Sequence, residues 1–166
     1  MCTSRSQEVK SVELKSLFFP DKSPEAIHDN LYQFWRRSEG IWFSKLVNVT
    51  VRLLPQTELI AISQRHLLEQ PEFGVRMSWE YNTKQQSGQM FWCVDTAYPG
   101  LLFADRSMLS DSPQIFDYQM FSDQHLVITA DKYSETFLLD GSRRRLRELR
   151  VEGKLIRRLW ENKFGD

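Results

Sequence analysis

The sequence predicts a mainly β protein, an antiparallel barrel of about eight to ten strands preceded by one helix. The stretch Phe73–Tyr81, FGVRMSWEY, alternates large apolar residues with small or polar ones, which is typical of a half-buried strand. Many further short apolar runs follow at close spacing, and turn-forming residues separate them. This pattern favours a sandwich or a barrel, and one helix with up-and-down connections favours the barrel.

Composition limits the possible classes of protein. The chain has 166 residues and a formal net charge of zero, so charge gives no general argument for binding nucleic acid or anionic membranes. We expect one barrel domain over residues 23–166, after a flexible arm over residues 1–22. Cys2 and Cys93 form no disulfide framework and have no neighbouring His, so neither a metal site nor a Cys–His nucleophile is expected. No apolar run approaches membrane-spanning length, which predicts a soluble protein in a reducing compartment.

The helix is predicted from its start signals and its apolar stripe. Ser23 suits the N-cap and Pro24 the first helical position, and Gly40 is the expected stop. The stripe at i, i+4, i+7 and i+8 consists of Ile27, Leu31, Phe34 and Trp35. No second helix is expected. The predicted strands are 42–54, 58–68, 73–82, 88–95, 100–106, 115–121, 125–131, 133–140, 143–151 and 154–162.

Predicted turns separate these strands. Ser87-Gly88 and Pro99-Gly100 are expected to join neighbouring strands, and Glu152-Gly153 is expected to form a tight hairpin.

Glu135 interrupts an apolar face. In the predicted strand 133–140 it shares a face with Tyr133, Phe137 and Leu139. A carboxylate on an apolar face is costly without a partner, so it suggests a polar site inside the barrel. Glu135 is either a salt-bridge partner or a proton donor or acceptor that faces a ligand, and the two roles are compatible.

An arginine-rich strand follows Glu135. Strand parity in RRRLRELR places Arg145 and Arg147 on one face and Arg144 and Arg150 on the other. Inward arginines would bind carboxylates or phosphates, whereas a solvated basic strand would only guard against edge pairing. Both interpretations stay open.

Aromatic residues leave a similar choice, because 11 Phe, 5 Tyr and 5 Trp would fill a core or line a pocket for a flat conjugated ligand. Trp79 is a core residue or a stacking wall. Trp42, in the Gly-x-Trp run that begins at Gly40, is expected to plug one end of the barrel.

Three motifs together resemble the S-type phycobiliprotein lyases, which attach bilin chromophores to light-harvesting proteins. Residues 38–44, SEGIWFS, are similar to the S-x-G-x-W-x-S start of the first strand in that family. Ser78-Trp79-Glu80 resembles its mid-barrel tryptophan strand. Glu135 followed ten residues later by Arg145-Leu146-Arg147 resembles its Glu and Arg-x-Arg pattern.

This resemblance implies a ten-stranded lipocalin-like barrel that binds a phycobilin and attaches it through a thioether to a cysteine of a phycobiliprotein subunit. It implies that Arg145 and Arg147 hold the bilin propionates, Glu135 contacts the pyrrole nitrogens, and Trp79 packs on the rings. Trp42, Ser44 and Met77 are expected to be structural or pocket residues.

The implied ligand is phycoerythrobilin or phycocyanobilin, bound as a substrate and not as a prosthetic group. The implied partner is a phycobiliprotein apo-subunit, and the lyase itself would act alone, as a homodimer or as a heterodimer with another lyase. The location implied is the cytoplasm of a cyanobacterium or the plastid of an alga.

Two other functions remain open. A fatty-acid-binding-like carrier would use Arg145 and Arg147 to bind one carboxylate and would transfer nothing. A nucleic-acid binder would use the run 143–150, but zero net charge and the division of its arginines between two faces count against it.

Overall fold

Ten antiparallel strands form a closed barrel in a computed structural model that describes residues 24–66, 71–94, 99–105 and 114–165. Neighbours around the barrel follow the chain from β2 to β10, and β1 closes it between β10 and β2. The strands are β1 Gly40–Phe43, β2 Asn48–Leu53, β3 Phe73–Tyr81, β4 Lys84–Val94, β5 Pro99–Asp105, β6 Gln114–Ser122, β7 His125–Ala130, β8 Tyr133–Asp140, β9 Arg144–Val151 and β10 Lys154–Phe164. The predicted lipocalin-like barrel is therefore confirmed.

Alternation along the strands places the large apolar side chains inside the barrel. On β3, Phe73, Val75 and Met77 are buried, so the predicted alternation is correct over these residues, whereas Tyr81 at the end of the strand is 52% exposed. Their inward neighbours on other strands include Val49, Trp92, Tyr118, Leu126 and Phe137.

Helix α1, Pro24–Ser38, covers one end of the barrel. Its buried residues Leu31, Phe34 and Trp35 belong to the main core. Trp35 packs on Trp92 and Phe137 with ring centres 5.9 and 5.5 Å apart. The predicted apolar stripe is correct over these three residues. The helix ends before Gly40, the predicted stop, which instead begins β1.

Tight turns connect strands at the end of the barrel opposite α1. Val151 pairs with Lys154, so Glu152 and Gly153 form a two-residue turn, with φ values of 50° and 78°. This confirms the predicted hairpin, since positive φ at both positions is typical of a type I′ turn. Asn82 and Asp131 have positive φ in the β3–β4 and β7–β8 turns at the same end.

A second helix, α2 Gln56–His66, occupies most of the segment predicted as strand 58–68. Its buried residues Leu59 and Ile62 lie one turn apart and form a small outer core with Leu54 and Phe91. Glu58 also pairs with Arg76 on β3 at 2.7 Å. The strand prediction and the expectation of a single helix were wrong because packing on the outer wall of the barrel stabilises this short helix.

Three predicted boundaries also differ from the structure. The segment 42–54 contains two strands, because residues 44–47 form a turn in its middle. Ser87-Gly88 continues β4, since the β3–β4 turn lies earlier, at Asn82-Thr83. Pro99-Gly100 begins β5 and is not a turn.

The arm 1–22 and the N-cap Ser23 lie outside the described residues, as does Cys2. In the part of the chain that the structure describes, neither helix has the length and apolarity needed to cross a membrane.

Candidate functional site

Two arginines and two glutamates meet inside the barrel on three consecutive strands. Arg145 and Arg147 come from β9, Glu135 from β8 and Glu161 from β10. Glu161 lies directly opposite Arg145 in the β9–β10 pairing, and Phe137 lies opposite Arg147 in the β8–β9 pairing. The structure therefore places the predicted residues Glu135, Arg145 and Arg147 together on the inward face.

Exposure increases along this cluster toward the end of the barrel opposite α1. The side chains of Arg145 and Glu161 are 0% exposed, that of Arg147 is 11% exposed and that of Glu135 is 31% exposed. Strand β8 explains this gradient, because it runs from Tyr133 at the far end past Glu135 to Phe137, which contacts α1. A molecule that approaches from the far end would reach Glu135 and Arg147 before Arg145.

Charge-assisted hydrogen bonds connect the four side chains. Arg145 Nε donates to Glu161 Oε2 at 2.6 Å, and Arg147 Nη1 donates to Glu161 Oε1 at 3.2 Å. Arg147 also donates through Nε at 3.0 Å, and through Nη2, to Oε1 of Glu135. Glu161 thus bridges both arginines, whereas Glu135 binds the outer edge of Arg147.

Aromatic rings surround the two guanidinium groups. The Arg145 guanidinium carbon lies 4.3 Å from the centre of the Trp42 ring and 5.6 Å from that of Phe137. The Arg147 guanidinium carbon lies 5.3 Å from the centre of the same Phe137 ring. These contacts hold the cations in an apolar environment, where a charged ligand group would be poorly screened by solvent.

Burial and the neighbouring charges act in opposite directions on the arginines. Burial lowers the pKa of Arg145 to about 10, opposed by Glu161 and assisted by the positive charge of Arg147. Burial also acts to lower the pKa of Arg147, but attraction to Glu135 and Glu161 outweighs it and raises that pKa. Both guanidinium groups therefore remain charged at neutral pH.

Several buried donor atoms have no acceptor among the described residues. They are Nη1 and Nη2 of Arg145 and the indole Nε1 atoms of Trp35 and Trp92. A buried donor without an acceptor is costly, and native proteins rarely keep several of them. Arg145 keeps a whole edge of two donors, which matches the geometry of a carboxylate.

The other predicted residues lie close to the places expected of them. Trp42 is fully buried, and its indole Nε1 donates to the Ser38 carbonyl at 2.8 Å, so it plugs the barrel beside the end of α1. Met77 is buried on the inner face of β3, and Trp79 is half-buried nearer the far end of the same strand.

Ser44 stabilises the β1–β2 turn and lies outside the charged cluster. Its hydroxyl donates to the Val47 carbonyl at 2.8 Å and accepts from the Val47 amide at 3.1 Å.

The outer arginines of β9 have partners on the outside of the barrel. Arg144 is exposed, and its guanidinium carbon lies 3.9 Å from the centre of the Trp160 ring. Arg150 Nη2 donates to Glu148 at 3.0 Å, and Arg158 binds the same carboxylate. These residues are matched comparisons for the inner pair, with the same chemistry on the same strand.

Glu161 is the member of the cluster that sequence reasoning missed. On β10 the apolar residues Ile156, Trp160 and Phe164 are exposed. Assigning these apolar residues to the barrel interior would therefore place Glu161 on the outside. The available signal was the charge of the neighbouring strand, because two inward arginines require inward carboxylates. Across the described ranges of the chain, no group of three His, Cys, Asp or Glu residues has an arrangement that could hold a metal ion.

A solved structure shares this fold. No protein-family model and no curated protein sequence matches the chain significantly. The S-type phycobiliprotein lyase CPES from Guillardia theta superposes with a TM-score of 0.56 and 17% identity. The match covers 82% of this chain and 93% of that one. The chain therefore has an S-type lyase-like fold.

Proposed function

We propose that the chain binds a phycobilin in its barrel and attaches it through a thioether to a cysteine of a phycobiliprotein subunit. The observation that carries the proposal is the pair of inward arginines among aromatic rings, in which Arg145 keeps two buried donors without an acceptor. A bilin offers what this site lacks, since it is flat and conjugated and bears two carboxylates. The S-type lyase-like fold supports the same function.

Within the proposal, the arginines hold the propionates and Glu135 acts at the ring nitrogens. Arg147 is the more accessible arginine, and Arg145 is reached only when neighbouring side chains move, because it is fully buried. Trp79, half-buried toward the far end of β3, would pack on the conjugated rings.

The attachment step adds the thiol of the acceptor across an exocyclic double bond of the bilin. Sulfur bonds to one carbon of that bond, the thiol proton is lost, and the conjugated system gains a proton, so no oxidant is required. Protonation of the conjugated system makes the attacked carbon more electrophilic, and Glu135 would supply or hold that proton. The protein would also align the chromophore with the acceptor cysteine.

The proposed ligand is phycoerythrobilin or phycocyanobilin, and the proposed setting is a cyanobacterial cytoplasm or an algal plastid. The decisive experiment is coexpression of the chain with bilin synthesis and candidate phycobiliprotein subunits. We expect covalent pigment on the acceptor that disappears when its cysteine is replaced by Ser, or when the chain is omitted. An acceptor that stays colourless with both bilins and every subunit tested would contradict the lyase function.

A binding assay distinguishes the lyase from a simple carrier. The purified chain should bind a free bilin reversibly, and denaturing gel filtration should separate pigment from protein. Pigment that remains covalently attached to Cys93 would contradict the transfer function. A fatty acid that binds far better than a bilin would favour a non-catalytic, fatty-acid-binding-like carrier instead.

A further inference from the structure

Three of the five N–H groups of Arg147 are bound by carboxylates of the protein. Nε and Nη2 donate to Glu135, and Nη1 donates to Glu161 at 3.2 Å. A carboxylate binds a guanidinium best through two adjacent N–H groups, and Glu135 occupies the adjacent pair at Nε and Nη2. A ligand carboxylate can therefore take this pair of donors on Arg147 only by displacing Glu135.

Glu135 is the glutamate that can leave. It is 31% exposed, and without it Arg147 still has the carboxylate of Glu161. Glu161 is fully buried and also binds Arg145 at 2.6 Å, so its departure would deprive Arg145 of its hydrogen-bonded carboxylate. A buried arginine without a counterion is strongly unfavourable. Displacing Glu135 from Arg147 therefore costs less free energy than displacing Glu161.

The charge balance leads to the same choice. Two arginines and two glutamates sum to zero, so a ligand carboxylate that simply joined them would leave an excess negative charge in an apolar environment. Exchange leaves the charge around the two arginines unchanged, because the ligand carboxylate replaces that of Glu135 at Arg147. The excess negative charge moves to the displaced Glu135 side chain, which is 31% exposed. The released Glu135 side chain stays on β8, toward the end of the barrel opposite α1, and becomes free to accept N–H groups of the ligand.

We propose that a ligand carboxylate exchanges with Glu135 on Arg147, while Glu161 keeps both arginines in place as a positioning residue. The exchange rests on the proposed bilin-binding function and adds to it. Carboxylate binding releases Glu135, so the residue is delivered to the chromophore only when a ligand with a carboxylate is seated.

The test compares phycocyanobilin with its dimethyl ester, which keeps the ring system and lacks the carboxylates. Both are titrated into the wild-type chain, Glu135→Gln and the control Glu148→Gln. Glu148 is a suitable control because it pairs with Arg150 and Arg158 on the outside of the barrel. Glu135→Gln should raise the preference for acid over ester by roughly three- to tenfold, since it removes the internal competitor. Glu148→Gln should leave it unchanged.

The absorption spectrum separates exchange from a general gain in positive charge. In the wild-type chain the acid releases Glu135 and the ester does not. Glu135→Gln should therefore shift the absorption band of the acid complex and leave that of the ester complex in place. Equal shifts with both ligands, or an unchanged acid-to-ester preference, would overturn the exchange.

A second variant, Glu135→Asp, tests the exchange even if Glu135→Gln folds poorly. Glu135→Asp keeps the charge but shortens the side chain by one methylene, so it should give an intermediate acid-to-ester preference. A preference equal to that of the wild-type chain would count against exchange. If neither the acid nor the ester binds the wild-type chain, the proposed function itself fails, and this result differs from each of the outcomes above.

Discussion

Arg145 and Glu161 face each other directly across the β9–β10 pairing, joined by a 2.6 Å hydrogen bond between two fully buried side chains. Each of the pair would be strongly unfavourable inside the barrel without the other. Glu161 also binds Arg147, so one carboxylate fixes two cations in the barrel interior. The stability of the barrel and the geometry of the proposed ligand site therefore depend on the same residue.

Glu161→Gln should destabilise the fold more than Glu135→Gln. Removing the buried partner of Arg145 should lower the free energy of unfolding by about 3–5 kcal/mol, whereas Glu135 is partly exposed and leaves Arg147 with Glu161. Chemical denaturation of both variants measures this difference. The double variant Arg145→Met with Glu161→Gln should recover part of the loss, because it removes the unpaired charge. Equal stability of the two single variants would contradict the central position of Glu161.

Replacing the inner arginines should weaken bilin binding more than replacing the outer ones. Arg147→Ala or Arg145→Ala should cost about 1.5–3 kcal/mol, or roughly ten- to a hundredfold in affinity. Arg144→Ala and Arg150→Ala are the matched controls, because both side chains lie on the outside of β9. Lys at position 147 should rescue only partly, since an ammonium group lacks the paired donors. Superimposable titration curves for inner and outer variants would contradict the assignment of Arg145 and Arg147 to the bilin site.

Glu135→Gln should affect transfer more than binding. Glutamine keeps the shape of the side chain but cannot supply a proton or balance a protonated bilin. We expect slower attachment to the acceptor and a shifted absorption band, with affinity changed by less than about tenfold. If Glu135 only neutralises Arg147, stability and binding should fall together. A variant that keeps the wild-type melting temperature, spectrum and transfer rate would exclude Glu135 from the site.

Ile62→Ala should destabilise the chain through the outer core under α2. Ile62 is 2% exposed beside Leu59 and Phe91, and such truncations cost about 2–5 kcal/mol. Ile60→Ala is the control, because Ile60 is 41% exposed on the same helix and should change stability by less than about 0.5 kcal/mol. Thermal and urea unfolding compare the two. Similar losses in both variants would contradict the packing of α2.

Acidification should destabilise the fold through His125. Burial lowers the pKa of His125 below its usual 6.5, although Glu148 opposes the shift. The unfolded chain therefore takes up this proton before the folded chain does, and the free energy of unfolding falls as the pH drops through about 6.5. Titration by NMR measures the pKa directly, and His125→Gln should reduce the pH slope of stability. A measured His125 pKa above 6.5 would contradict the prediction, because His125 would then stabilise the fold on acidification.

The sequence alone was sufficient wherever one periodicity persisted over a whole element. Alternation in β3 predicted an inner and an outer face, and strand parity placed Arg145, Arg147 and Glu135 on the same side. The apolar stripe of α1 was predicted from its helical spacing in the same way. The Glu152-Gly153 turn was predictable because glycine adopts the positive φ that a two-residue hairpin needs. In each case the physical cause lies within a few neighbouring residues.

Tertiary contacts decided the rest. Helix α2 is short, and its two buried residues, Leu59 and Ile62, stabilise it by packing with Phe91 on the barrel wall. The sequence of the helix alone does not show this contact. On β10, a register irregularity between Leu155 and Arg157 interrupts the pairing with β9, and the pairing resumes from Arg157 to Asn162. That pairing turns Glu161 inward and leaves Trp160 44% exposed on the outside. Hydrophobicity favours the opposite face, but two buried arginines on β9 need a carboxylate, and this requirement appears only when the strands are side by side.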